Sequence, residues 1–116
     1  MINALIETEG LELLAGEPQG VDVPRDDGSP QWIWRCPECQ IALYSQYTHP
    51  GIRFVRGGTL DEPRGVRPDV HIFTRSKVNW VRLPDDVPAF DVYYDTRKLW
   101  PPASLKRLDA VLRSRP

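Results

Sequence analysis

The residues best suited to chemistry sit in one short turn, Cys36-Pro37-Glu38-Cys39, which holds the only two cysteines of the chain. Two thiolates on a tight turn between two strands make half of a tetrahedral zinc site. A structural zinc takes four protein ligands, and a catalytic zinc takes three plus water. His49 and His71 are the only histidines, and their distance along the chain from the pair matches no common zinc spacing. Zinc is therefore the cofactor expected at Cys36 and Cys39, with an incomplete ligand set in one chain. The missing ligands would come from a second subunit or from residues upstream of Met1. A redox C-x-x-C is the other reading of the same pair. It needs a helix N-terminus to lower a thiol pKa, and the flanks here read as strands.

Those flanks are Gln31-Trp32-Ile33-Trp34 leading in and Ile41 to Tyr47 leading out. Further along, Ile52–Arg56 reads as a strand with Ile52 and Phe54 on one face. Val70–Arg75 alternates so that His71, Phe73 and Arg75 share a side, and Asn79–Leu83 follows. Short strands between Gly/Pro turns predict an antiparallel, mainly β domain. Met1–Ile6 is β-prone, Glu7–Gly16 reads as a short helical turn, and Val21–Val23 as a brief strand. Pro24–Pro30 is turn chemistry built around Asp27-Gly28. Gly57-Gly58 suggests a bulge or a close backbone approach. From Pro101 the period changes: Leu105, Leu108, Val111 and Leu112 repeat at helical spacing. This predicts a short amphipathic C-terminal helix folded back onto the sheet. The four tryptophans are expected in the core.

Length and composition bound the function. The 116 residues make one domain or part of one, and a 41% hydrophobic fraction with four tryptophans fits a folded chain. A net charge of −1 argues against bulk affinity for nucleic acid or anionic membrane. The charge is uneven: residues 1–31 carry seven acids and one base, and residues 53–82 carry seven bases and three acids. The basic stretch is either a solvated face or a patch for an anionic ligand. If its strands pair, His71 lies near Arg53, Arg56 and Arg75, and Arg53, His71 and Arg75 become candidate substrate-binding residues. Two cysteines cannot frame a small secreted domain. With no signal peptide and no apolar run of about 18 residues, the expectation is a cytoplasmic protein that does not span a membrane.

Three ordered stretches carry a resemblance. They are Phe54-Val55-Arg56-Gly57-Gly58-Thr59-Leu60-Asp61-Glu62-Pro63, then Arg67–Lys77, then Trp80-Val81 and Leu83–Phe90. Together with Cys36–Cys39 before Leu43-Tyr44, and with Ile2–Leu5 and Leu13–Pro18, they resemble the glutathione-dependent formaldehyde-activating enzymes, a family that includes the centromere protein V group. The resemblance covers about residues 1–91. It implies an antiparallel β-tent, zinc-ribbon-like, over residues 1–95, with a C-terminal extension and helix over 96–116. It also implies zinc-associated carbon–sulfur lyase chemistry: glutathione joined to formaldehyde as S-hydroxymethylglutathione, and the reverse. Cys36 and Cys39 match the later pair of the family's structural zinc site.

Nothing matches the family's early C-x-C pair or its catalytic cysteines, so no catalytic residue is assigned. The expectation is a truncated start and weak or no activity. Glycine is usual in that family after the second cysteine, where a left-handed backbone costs little; Gln40 stands there and is expected to strain the turn or weaken metal preference. The alternative is a non-catalytic structural or binding module, with a two-cysteine knuckle and a basic anion-binding face. An exposed strand edge would favour a homodimer.

Overall fold

The computed structural model describes residues 1–114. Five antiparallel strands form one sheet: β1 (Asn3–Glu7), β2 (Gln19–Asp22), β3 (Trp32–Arg35), β4 (Ala42–Gln46) and β5 (Ile52–Arg56), in the order β1-β5-β4-β3-β2. Two short helices follow, α1 (Thr96–Leu99) and α2 (Pro102–Arg113). The protein is thus mainly β with a small C-terminal helical element. Among the described residues, no helix is long and apolar enough to cross a membrane.

The chain divides into two compact units. One is Met1–Val66 together with the chain from Leu108 on, and the other is Arg67–Arg107. In the first, β2 to β5 form a meander in sequence order, and β1 adds to the far side of β5. Alternation sorts the side chains onto two faces. Val21, Ile33, Ser45, Phe54 and Leu5 are register partners in a row across all five strands, and Arg56 with Asn3 continues that face. Gly20, Trp34, Tyr44, Val55 and Ala4 form the opposite row. Gly20 leaves room for the Trp34 ring: a Cβ there would lie 3.0 Å from the indole nitrogen.

The interior is thin. Ile33 is the one buried hydrophobic residue among the described residues, accompanied by Ser45 and Arg56. Burying an isoleucine contributes about 1.5–3 kcal/mol, so most of this unit's cohesion comes from the ladder and from half-buried aromatics. Tyr47 packs edge-on against Phe54, with ring centroids 4.7 Å apart. The Gly57 amide donates to the Ile2 carbonyl at 2.8 Å, and a Cβ on Gly57 would meet Ile2 Cγ2 at 3.2 Å. That is the close backbone approach expected of Gly57-Gly58. The last turns of α2 return to this unit, with Val111 against Gly51 in the β4–β5 connection.

The second unit departs from the alternation read in the sequence. Val70–Arg75 and Asn79–Leu83 are not strands. His71 makes a single parallel bridge to Ala89, and Thr74–Ser76 is a 3-10 turn. Phe73, with φ 55, takes the left-handed conformation and ends the pleat. Its amide bonds to Val92 O, and those of Thr74 and Arg75 to Phe90 O and Asp91 O. Backbone demand is met there by the 88–92 segment and not by a ladder. Trp80 lies in a turn and is 75% exposed, so it is not a core residue.

Candidate functional site

The cysteine turn is the tip of the β3–β4 hairpin. The Cys36 amide donates to Ile41 O at 3.0 Å and the Gln40 amide to Cys36 O at 2.8 Å, closing a tight loop. The register shifts between Trp34 and Arg35, where β3 enters it. Gln40 has φ 65, the left-handed conformation expected of the position after the second cysteine. A residue with a Cβ costs about 1–2 kcal/mol there. The side chain offsets part of that by donating from Nε2 to Pro37 O at 3.1 Å, and Arg35 Nη1 donates to Gln40 O at 3.0 Å.

Both thiols are free; Cys36 is half-buried and Cys39 exposed. The Cys36 thiol is held below the ordinary thiol range, mainly by the Cys39 backbone N–H, then by the Glu38 N–H and the Cys39 thiol; slight desolvation and the Glu38 charge oppose them. Two amides aimed at one sulfur stabilise a thiolate without any helix. The pair fits half of a tetrahedral thiolate site. The rest does not fit: among the described residues no group of three His, Cys, Asp or Glu could hold a metal ion. His49 is engaged elsewhere, its Nδ1 accepting the Gly51 amide at 2.9 Å.

Arg53 lies on the opposite sheet face from Ser45, and its guanidinium carbon is 5.3 Å from the Trp34 ring centroid. Trp34 in turn stacks on Tyr44, with centroids 5.3 Å apart. Arg53 Nη1 donates to Pro50 O at 2.8 Å, and among the described residues no carboxylate pairs with the cation. Burial pushes its pKa down, yet an arginine remains charged. On this face lies an open cleft of about 240 Å³ with mainly apolar walls, including Leu11, Leu13, Leu43, Tyr44 and Val55.

The other two candidate binding residues lie in the second unit. The backbone of His71 is tied to Pro88 O and to the Phe90 amide, each at 2.9 Å. Its Nε2 is buried without a partner. It helps line a second open cleft of about 210 Å³, with Phe73, Lys77 and Leu83. Lys77 Nζ is turned back onto Val81 O at 3.0 Å. The Arg75 side chain is exposed and makes no hydrogen bond or ion pair among the described residues. The strand pairing that would have set His71 beside Arg53 is not formed: β5 is flanked by β1 and β4. The shared face of His71 and Arg75 is also lost, because the pleat stops at Phe73.

Arg56 was not a candidate binding residue, although it lies two residues from Phe54 and so on the same face. It is 8% exposed, donates from Nη1 to Asn3 Oδ1 at 2.7 Å and from Nη2 to Ser45 Oγ at 2.9 Å, and among the described residues has no carboxylate partner. Its Nε is buried and unpartnered. A period-two reading of Phe54 and Arg56 was the available signal for this buried cation.

A family model described as glutathione-dependent formaldehyde-activating enzyme matches residues 1–76, a span that includes the cysteine turn, Arg53, His71 and Arg75. Comparison with curated proteins and with solved structures gives no significant match.

Proposed function

Because this chain belongs to the glutathione-dependent formaldehyde-activating enzyme family, we propose that it binds a glutathione-type thiol and its one-carbon aldehyde adduct. The chemistry is that of a carbon–sulfur lyase: the thiol sulfur bonds to the aldehyde carbon, the carbonyl π bond opens, and the thiol proton passes to oxygen. The reverse step releases the aldehyde. The family match carries this reading. It is supported by Arg53, which makes no ion pair with a carboxylate among the described residues and lies on the sheet face that also bears an open cleft walled by Tyr44 and Val55, since a guanidinium pairs well with a peptide carboxylate. His71 and Arg75, in the second unit taken by itself, are proposed as anion contacts on the family match alone.

No step is routed through zinc, because the described residues supply two sulfur ligands and no third. The isolated chain is therefore proposed to turn over slowly or not at all, with Cys36 and Cys39 bracing the hairpin. The test is exchange between glutathione and S-hydroxymethylglutathione followed by NMR, with and without the chain. Chemical-shift changes on the protein without faster exchange are expected. Exchange that rises with protein concentration would overturn the slow-step reading, and an absence of any glutathione binding would overturn the thiol reading.

A second reading is favoured by Arg53, which makes no ion pair with a carboxylate among the described residues. In it the chain is a non-catalytic binding module whose basic residues take up a small anion. Binding of glutathione disulfide or inorganic phosphate as tight as that of glutathione would favour it.

A further inference from the structure

We propose that the surface around Trp80, in the second unit, docks an acidic peptide segment of a partner protein, which sets one apolar side chain into the cleft beside it. Trp80 is 75% exposed, whereas the other three tryptophans are half-buried. The backbone holds it out in a fixed place. The Val81 amide closes a turn onto Val78 O at 3.2 Å, and Lys77 Nζ donates to the carbonyls of Val81 and Val78 at 3.0 and 3.4 Å. Ile72, Phe73 and Val78 are exposed as well. Exposed apolar side chains rimmed by charge mark an interaction site, and tryptophan and arginine are the usual anchors of protein interfaces.

Charge and shape select the occupant. Residues 75–82 hold three bases, Arg75, Lys77 and Arg82, and no acid. Arg75 and Arg82 are exposed and make no ion pair among the described residues. Asp91 opposes them, its carbonyl taking the Arg75 amide at 3.3 Å and its Oδ1 the Thr74 hydroxyl at 3.4 Å. The balance stays positive, so the complementary segment is acidic. Phe73, Val81 and Leu83 help wall an open cleft of about 210 Å³, which meets the turn at Val81. That is below the roughly 300–1,000 Å³ of a small-molecule site, and it suits one side chain of a larger ligand. An anionic lipid surface would match the charge but has no single side chain to fill the cleft. A nucleic-acid base would stack on Trp80 and leave the cleft empty.

The docking requires neither glutathione binding nor thiol–aldehyde turnover, so it and the proposed function can fail separately. The experiment is fluorescence anisotropy of the full chain with a dye-labelled peptide in which a single leucine is flanked by glutamates. Expected is saturable binding that weakens as salt is raised. Replacing the leucine by serine should weaken it about tenfold, as should Trp80→Ser or Arg82→Glu in the chain, with fold checked by circular dichroism. The absence of saturable binding would overturn the proposal, as would equal binding of the same peptide with lysines for glutamates. So would unchanged binding by Trp80→Ser, or tighter binding to phosphatidylserine vesicles or oligothymidylate than to the peptide. Displacement of the peptide by glutathione would also overturn it and return the cleft to the thiol reading.

Discussion

Arg56 on β5 donates from Nη2 to Ser45 Oγ on β4 at 2.9 Å, and Ser45 is fully buried. Among the described residues, two neutral oxygens, those of Ser45 and Asn3, are the hydrogen-bond acceptors of this guanidinium. Ser45→Ala should leave a buried charged donor unpaired and cost about 1–3 kcal/mol. Urea denaturation checks it, and a double-mutant cycle with Arg56→Met should return a coupling of about 0.5–3 kcal/mol. An unchanged midpoint in Ser45→Ala would mean that water replaces the hydroxyl without loss.

Gln40→Gly should stabilise the cysteine turn. Glycine removes the Cβ penalty at φ 65 and forfeits only an exposed side-chain bond to Pro37 O, for a net gain of about 1 kcal/mol. Thermal melting reads it out. Gln40→Val, β-branched at the same backbone angles, should lower the melting temperature.

Gly51→Ala should destabilise. Its Cβ would lie 2.7 Å from Val111 Cγ1 and 2.9 Å from His49 Cε1. The His49 ring cannot swing away without giving up the Gly51 amide. Overpacking of this kind costs about 1–3 kcal/mol. Adding Val111→Ala should recover part of the loss, which locates the end of α2 by thermodynamics.

Asp27 accepts both the amide and the hydroxyl of Ser29, and these bonds hold its carboxyl below the ordinary 3.8. A depressed folded-state pKa contributes stability that is present above the unfolded value and is lost as pH falls through the folded one. NMR titration of the Asp27 carboxyl should show the low midpoint, and Ser29→Ala should move it up. An identical midpoint in the variant would remove Ser29 as the cause.

Much of the first unit was legible because its signals are local. Cys36–Cys39 lies between β-prone runs, so hairpin and turn follow from neighbouring residues. Gly57 and the helical period of Leu105, Leu108, Val111 and Leu112 could be read the same way. The stretch from Val70 to Leu83 misled for a physical reason. Alternation predicts a strand only where a partner ladder exists, and no residue type announces that Phe73 will turn left-handed. Arg56 was missed because an arginine in a basic stretch reads as surface, although its parity with Phe54 put it on the inner face. The relation of His71 to Arg53 rested on a pairing between strands far apart in the chain, and such pairing cannot be read from local pattern.

The position of β1 has a consequence for the order of folding. Asn3 to Glu7 pair with Arg56 back to Ile52, so the first strand made must wait for the fifth. During synthesis β2 to β5 can zip by short hairpin closures, each a fast local event. The strand that completes the sheet is held back by a long loop whose closure is entropically costly. Until it docks, β5 presents an open row of amides and carbonyls, and Arg56 lacks its Asn3 acceptor. The nascent chain therefore passes through a sticky-edged stage, and variants that weaken β1 should betray themselves by aggregation during expression before any loss of equilibrium stability is measured.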